Sequence, residues 1–234
     1  MGPADPIRAR AEADNIPVDA SGRRDVFLWE HVLRVTHAAL QIVRMNVAGR
    51  APNTAALQAA GLYHDVGWAI QCRDAVFSQQ EILTKPTSDL QRELGAARLM
   101  ERLHDLLPPR TLELAANIVR QMNERSTDLL EAQILSEAEN LDGVGMMGLW
   151  QTVRRHACEG RGIQAAIDIW RRQQDYRFWE ARIHEAFRFE PVRTLARARL
   201  EIMYRFYDEL ARIQSGEDLA ALLTSAEASS PPPT

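Results

Sequence analysis

The sequence predicts an all-α protein built as a single helical domain. Three observations carry this reading. Apolar residues recur at helical spacing in segment after segment between residues 25 and 214. Helix-start and helix-stop residues punctuate that pattern, above all Asn53, Ser88 and the Pro108-Pro109 pair. No segment carries a strand signal, and no internal repeat is present.

Taken in order, residues 1–24 are polar and rich in Pro, Asp, Gly and Arg, which suggests a flexible lead-in. "DVFLWEHVLRVTHAALQIVRMN" (25–46) follows, with Phe27, Leu28, Val32, Val35, Ala39, Ile42 and Val43 on one broad stripe and Asp25 placed to cap it. "APNTAALQAAGLYHDVG" (51–67) reads as a second helix, capped by Asn53 and stopping near Gly67. Residues 68–87 are less regular. "SDLQRELGAARLMERLHDLL" (88–107) then opens on a capping box, Ser88 with Gln91, and stops at the two prolines. Segments 111–126 and 128–142 are the next two helical patterns, and 143–157 follows a glycine-marked turn. Two long amphipathic segments, 163–187 and 191–214, complete the domain. Residues 215–234 are expected to hold a short helix and then, at "SAEASSPPPT", a disordered tail.

Composition narrows the function classes. The chain has 234 residues, 46% of them hydrophobic and 26% charged, as expected of a soluble globular domain with a proper core. A net charge of −4 makes no case for a nucleic-acid polymer as partner. No run of about 18 apolar residues is present, so no membrane span is expected. The first residues lack the apolar core of a signal peptide. The two cysteines, Cys72 and Cys158, form neither a disulfide framework nor a CxxC zinc pattern, which fits reduced thiols in a cytoplasm. Nearly all of the positive charge is arginine, and Lys85 is the sole lysine among 28 basic residues.

Six histidines are present, and three polar segments stand out among apolar neighbours. His31, in "WEHVLRV", sits beside the apolar stripe of its helix, where an imidazole needs a partner. His37, six residues on, lies about 240° around that helix and cannot share a site with it. His64 and Asp65 end the alanine-rich segment side by side. They are either a satisfied core pair or two ligands of a metal lying above the groove between them. A nitrogen with a hard oxygen suits Mn, Fe, Zn or Mg better than a thiolate metal. "ILSEAENLDGVGMMG" brings Glu137, Glu139 and Asp142 into six residues, and Glu139 and Asp142 share a helical face. Taken alone, this cluster reads as a solvated acidic face.

These pieces, in this order, resemble the HD-domain superfamily of metal-dependent phosphohydrolases: a His, then a His-Asp dipeptide, then a distant acidic residue, each on a different helix. The subgroup with a fourth motif like "DADRLDAIGAIG" is the most similar, and "EAENLDGVGMMG" follows it with the glycines in place. The C-terminal "FWEARIHEAFRFEPVRTLARARLEIMYRFYDEL" is similar as well. A second dipeptide, His104-Asp105 in "LHDLL", precedes the proline break and reads as a decoy. The resemblance implies an HD-type bundle with additional C-terminal helices and a metal held by His31, His64, Asp65 and Glu139. Glu139 stands where the family has Asp, and Asp142 is the fallback ligand. The family's two-metal members carry extra histidines on intervening helices. Here 111–126 offers Asn117, Gln121 and Asn123 instead, which implies one divalent ion rather than two. The implied substrate is a small phosphorylated molecule, nucleotides included. Asp65 would be ligand and holder of the attacking water, and Arg34, one turn from His31, is the first candidate to neutralise the phosphate, with Arg120 and Arg154 behind it. A homo-oligomer is compatible with all of this. Two competing readings stand beside it. One is an HD-fold binding or regulatory protein with reduced catalysis, and the other is a helical interaction protein in which these residues lie apart.

Overall fold

The computed structural model describes residues 5–19, 21–46, 49–220 and 222. It is helical throughout, and among the described residues no strand forms beyond an isolated bridge between Val18 and Arg24. Helix α2 (Phe27–Arg44) is the centre of the bundle. It packs against α3 (Thr54–Tyr63) and α7 (Leu130–Asp142), while α3 also meets α6 (Pro109–Gln121). Helix α5 (Asp89–Leu103) packs on both α6 and α4 (Val66–Arg73). The stripe on α2 does what its spacing predicts. Leu28, Val32, Val35, Ala39 and Ile42 are buried in one hydrophobic cluster with Leu57, Leu99, Ile118 and Leu135.

Two of the expected caps form: Asn53 Oδ1 accepts from the Ala56 amide, and Ser88 and Gln91 make a reciprocal box. The third shifts by one residue, since Val26 is the N-cap of α2 and Asp25, just before it, accepts from the Phe27 amide through Oδ1. Pro109 is the first residue of α6, where a missing N–H costs nothing.

Three boundaries differ from the sequence reading. First, within the segment read as a lead-in, Pro6–Asn15 form a helix, α1, that is docked rather than loose. Asn15 donates to the Leu62 carbonyl, and the buried Asp14 carboxylate meets Tyr63, Arg98 and Arg102. Arg10 forks onto Asp105, which accounts for the second His-Asp dipeptide as part of a surface ion pair. Second, the 51–67 helix ends earlier, at Tyr63. His64 and Asp65 form a corner, and α4 begins at Val66. Gly67 is therefore no stop signal. It lies inside α4, where a Cβ would sit 2.2 Å from the Gln91 carbonyl oxygen, so glycine is what lets α4 approach α5. Third, the 163–187 segment breaks in two. Arg177, in the left-handed region at φ 50°, separates α9 (Ile163–Asp175) from α10 (Phe178–Ala186).

Helix α8 (Met146–Cys158) follows a turn at Gly145, whose φ of 80° suits glycine. Helix α11 (Glu190–Ser215) is the longest; it packs on α9 and α10 and touches α7 and α8. Trp170, Trp179, Leu200 and Met203 join these C-terminal helices to the same hydrophobic cluster. Of the short helix expected after residue 214, positions 217–220 and 222 are helical, and the expected tail at 225–234 lies outside the described residues. Among the described residues no helix is long and apolar enough to cross a membrane.

Candidate metal centre

The corner between α3 and α4 places two ligand-type side chains against two others. His31 arrives from the second turn of α2, and Glu139 from the last turn of α7. One ligand atom from each of His31, His64, Asp65 and Glu139 lies within 4.8 Å of every other. His31 Nε2 stands 3.1 Å from Glu139 Oε2 and 3.4 Å from Asp65 Oδ2; His64 Nε2 stands 3.2 Å and 3.7 Å from the same two oxygens. Both imidazoles and Asp65 are buried, whereas the Glu139 side chain is 32% exposed and opens the cluster to solvent.

Three of the four ligands are held from behind. His31 Nδ1–H donates to Asp142 Oδ2 at 2.8 Å, and His64 Nδ1–H donates to the Gly61 carbonyl at 2.7 Å. Those bonds fix the tautomer that turns a bare Nε2 toward the cluster. Asp65 Oδ1 accepts from Thr87 Oγ1–H at 2.8 Å, and that hydroxyl in turn accepts from Trp68 Nε1–H at 2.9 Å. What remains is diagnostic. His31 Nε2 and Asp65 Oδ2 are fully buried and have no hydrogen-bond partner. Unpartnered buried polar atoms are uncommon in folded proteins, and two that face one point call for a common occupant. Two nitrogens and two carboxylates fit a divalent ion.

The electrostatics agree. Burial would lower the pKa of His31, but Glu139, Asp142 and Asp65 outweigh it and hold it well above the ordinary value. Burial also opposes the charged form of His64, which Asp65 and Glu139 overcome. Glu139 is held well below the carboxylate range because His31 and His64 overcome its burial. The site thus concentrates negative charge around the two rings, which protons or a metal can balance.

Asp142, the alternative fourth ligand, is placed on the far side of His31. It bonds Nδ1, not Nε2, and also accepts from Arg34 and Gln151. Burial pushes its pKa up, yet His31 and Arg34 bring it below the ordinary value. Arg34 is likewise directed away from the cluster. Its Nε and Nη2 donate to Asp142 at 2.9 and 3.0 Å, and it lines a separate, apolar cavity. The other two arginines singled out in the sequence are also engaged elsewhere: Arg120 with Glu93, and Arg154 with Asp25 and the Gln79 carbonyl.

A cleft of about 380 Å³ opens over the cluster, lined in part by His31, Asp65 and Glu139. Its far wall comes from the C-terminal helices, through Arg155, His156, Trp170, Trp179 and Arg182. Of the tryptophans, Trp170 and Trp179 line this cleft, Trp29 is in the core, and Trp150 is exposed. Sequence reasoning missed Thr87, hidden beside the stronger cap signal of Ser88. It also missed Arg155 and Arg182, which nothing in the sequence sets apart from the other arginines of the C-terminal helices.

Residues 28–143 match the family model described as HD domain. No curated protein matches. Among solved structures, Bacillus subtilis YpgQ in complex with ADP aligns with 90% of this chain and 97% of its own, at 18% identity and a TM-score of 0.57. A predicted HD superfamily hydrolase from an uncultured Thermotogales bacterium aligns with 89% of this chain and 91% of its own, at 15% identity and a TM-score of 0.52. At these identities the likeness is one of fold.

Proposed function

The chain belongs to the HD-domain superfamily of metal-dependent phosphohydrolases, and from that premise we propose that it hydrolyses a small phosphate ester at a one-metal centre. The observation that carries the reading is the convergence of four ligand atoms with two of them, His31 Nε2 and Asp65 Oδ2, buried and unpartnered. His31, His64, Asp65 and Glu139 would hold one divalent ion such as manganese, iron, zinc or magnesium. When bound, such an ion polarises a phosphoryl oxygen and lowers the pKa of a water.

The chain's own residues supply position. Thr87 occupies Asp65 Oδ1, so Oδ2 is the oxygen left for the ion and for the proton of an attacking water. Asp142 and the Gly61 carbonyl orient the two imidazoles. Hydrolysis forms a bond from water oxygen to phosphorus and breaks the bond to the leaving oxygen, which takes up a proton. A nucleotide is the substrate class we favour, because the neighbouring fold of YpgQ was crystallised with ADP and the cleft here has aromatic walls.

The alternative is an HD-fold binding or regulatory protein without turnover, favoured by Glu139 standing where the family has Asp. One experiment separates them. Metal content is measured by mass spectrometry, and hydrolysis of nucleotides and p-nitrophenyl phosphate is assayed for wild type, His64→Ala and Asp65→Ala. The enzyme reading expects bound metal and turnover in wild type and loss of both in the variants. Bound metal without turnover supports the regulatory reading. A metal-free wild type that matches its variants in every assay overturns both metal readings.

A further inference from the structure

Four side chains on the far wall of the cleft have polar groups with nothing to bond. His156, on α8, is 6% exposed, and neither of its ring nitrogens has a partner. The buried Nε of Arg155 beside it is also unpartnered. Trp170, on α9, is 3% exposed with its indole N–H unpartnered. Arg182, on α10, enters no hydrogen bond or ion pair among the described residues; its guanidinium lies 5.5 Å over the Trp179 ring. Burial lowers the pKa of Arg182; Glu139 opposes this and Arg155 adds to it. Two guanidiniums therefore share a partly dry wall without a carboxylate of their own, in contrast to Arg34, Arg120 and Arg154, each of which is paired.

The chemistry of the set is one-sided. Guanidinium and indole N–H groups donate and cannot accept, and the one imidazole adds a donor, with a single acceptor nitrogen in its neutral form. A wall of donors matches a ligand made of acceptors. Donors from three different helices suit a tetrahedral group with several free oxygens better than a planar carboxylate. None of the four is a candidate metal ligand, and all lie outside residues 28–143.

We propose that Arg155, His156, Trp170 and Arg182 form an anion subsite for a second phosphoryl group, distinct from the one presented to the four-ligand cluster, so that the preferred substrate carries at least two. The part of this that concerns substrate rests on the phosphohydrolase reading. The subsite itself does not, because it is built from other residues.

The test is a calorimetric titration of the full, metal-stripped chain in EDTA with inorganic phosphate, and separately with acetate. Wild type is expected to bind phosphate and to bind acetate at least tenfold more weakly. Arg182→Gln and Arg155→Gln are expected to weaken phosphate binding about tenfold, while Asp65→Asn stays within twofold of wild type. Arg182→Lys keeps a cation over Trp179 and guards against misfolding; it is expected to fall between wild type and Arg182→Gln. Circular dichroism checks each fold. Absence of phosphate binding by wild type, equal binding of acetate, arginine variants that bind like wild type, or an equal loss in Asp65→Asn would each overturn the proposal. A chain that binds phosphate in EDTA but hydrolyses nothing with metal retains the subsite and loses the enzyme reading.

Discussion

Thr87 Oγ1–H donates to Asp65 Oδ1 at 2.8 Å, and this one bond decides which carboxylate oxygen faces the two imidazoles. The hydroxyl is itself oriented by the indole of Trp68. Thr87→Val keeps the shape and removes both bonds. Removal of such an outer contact lowers metal affinity by about 10–100-fold. It also leaves the buried Trp68 N–H unpartnered, at a cost of about 1–3 kcal/mol. Equilibrium dialysis with a divalent metal and urea unfolding measure the two effects. Thr87→Ser, which restores a hydroxyl, is expected to recover most of the metal affinity.

Arg34 gives a second prediction, because its position on α2 and its destination differ. It supports Asp142, which supports His31. Arg34→Leu strips the nearly buried Asp142 carboxylate of two charged donors and leaves it with His31 and Gln151. Stability is expected to fall by about 1–3 kcal/mol. Metal affinity is expected to weaken, while KM for a phosphorylated substrate changes little, since the guanidinium lines another cavity. A large KM rise with unchanged metal affinity would return Arg34 to the substrate.

The same residue shows what spacing along a helix conveys. His31, His64-Asp65 and the acidic turn were legible because each is polar in an apolar setting, and such residues need partners. Helical periodicity assigns a face, and that placed Arg34 near His31. It says nothing about which group across the interface a long side chain meets, and here α7 supplied Asp142 within reach of the guanidinium. Gly67 failed for a related reason. Its signal is identical whether a glycine ends a helix or allows a close approach, and only the Gln91 backbone distinguishes them. Arg155 and Arg182 carried no signal, because exposed and cleft-facing arginines look alike on an amphipathic helix. The docked α1 was hidden because it carries little apolar surface: beside Ala11 and Ile7, its buried residues are the polar Asp14 and Asn15, whose partners lie on other helices.

Glu137 predicts a pH dependence of stability. Its side chain is fully buried, Oε2 has no partner, and Oε1 accepts from the Arg188 amide. Burial raises its pKa to about 7, against the pull of the Arg188 and Phe189 amides. A carboxyl raised in the folded state stabilises fully below its unfolded pKa, near 4.5, and that contribution is lost as pH rises toward 7. The loss is on the order of 3 kcal/mol. Glu137→Gln keeps the acceptor and removes the titration. Its unfolding free energy is expected to fall less than wild type's between pH 4.5 and 7 and to exceed wild type's at pH 8. Urea unfolding across this range checks it, and parallel curves for the two proteins would refute it.

Glu139→Asp tests whether the departure from the family pattern is tolerated or required. The Glu139 carboxylate reaches both imidazoles, at 3.1 and 3.2 Å, from the last turn of α7. Asp at the same backbone position withdraws the oxygens by about one bond, roughly 1.5 Å. A metal ligand must come within about 2.0–2.6 Å of its ion, so a retreat of that size detaches it unless α7 moves. Helix α7 is held in place by Asp142 bonding across to α2 and by the Arg188 amide on Glu137. The longer side chain is therefore the complement of this helix position. Metal affinity of Glu139→Asp is expected to drop by roughly tenfold or more, since loss even of a group that only supports a ligand costs about 10–100-fold. Equilibrium dialysis gives the number. Affinity equal to wild type would mean that α7 can slide toward the site, and that the choice between Glu and Asp here is neutral.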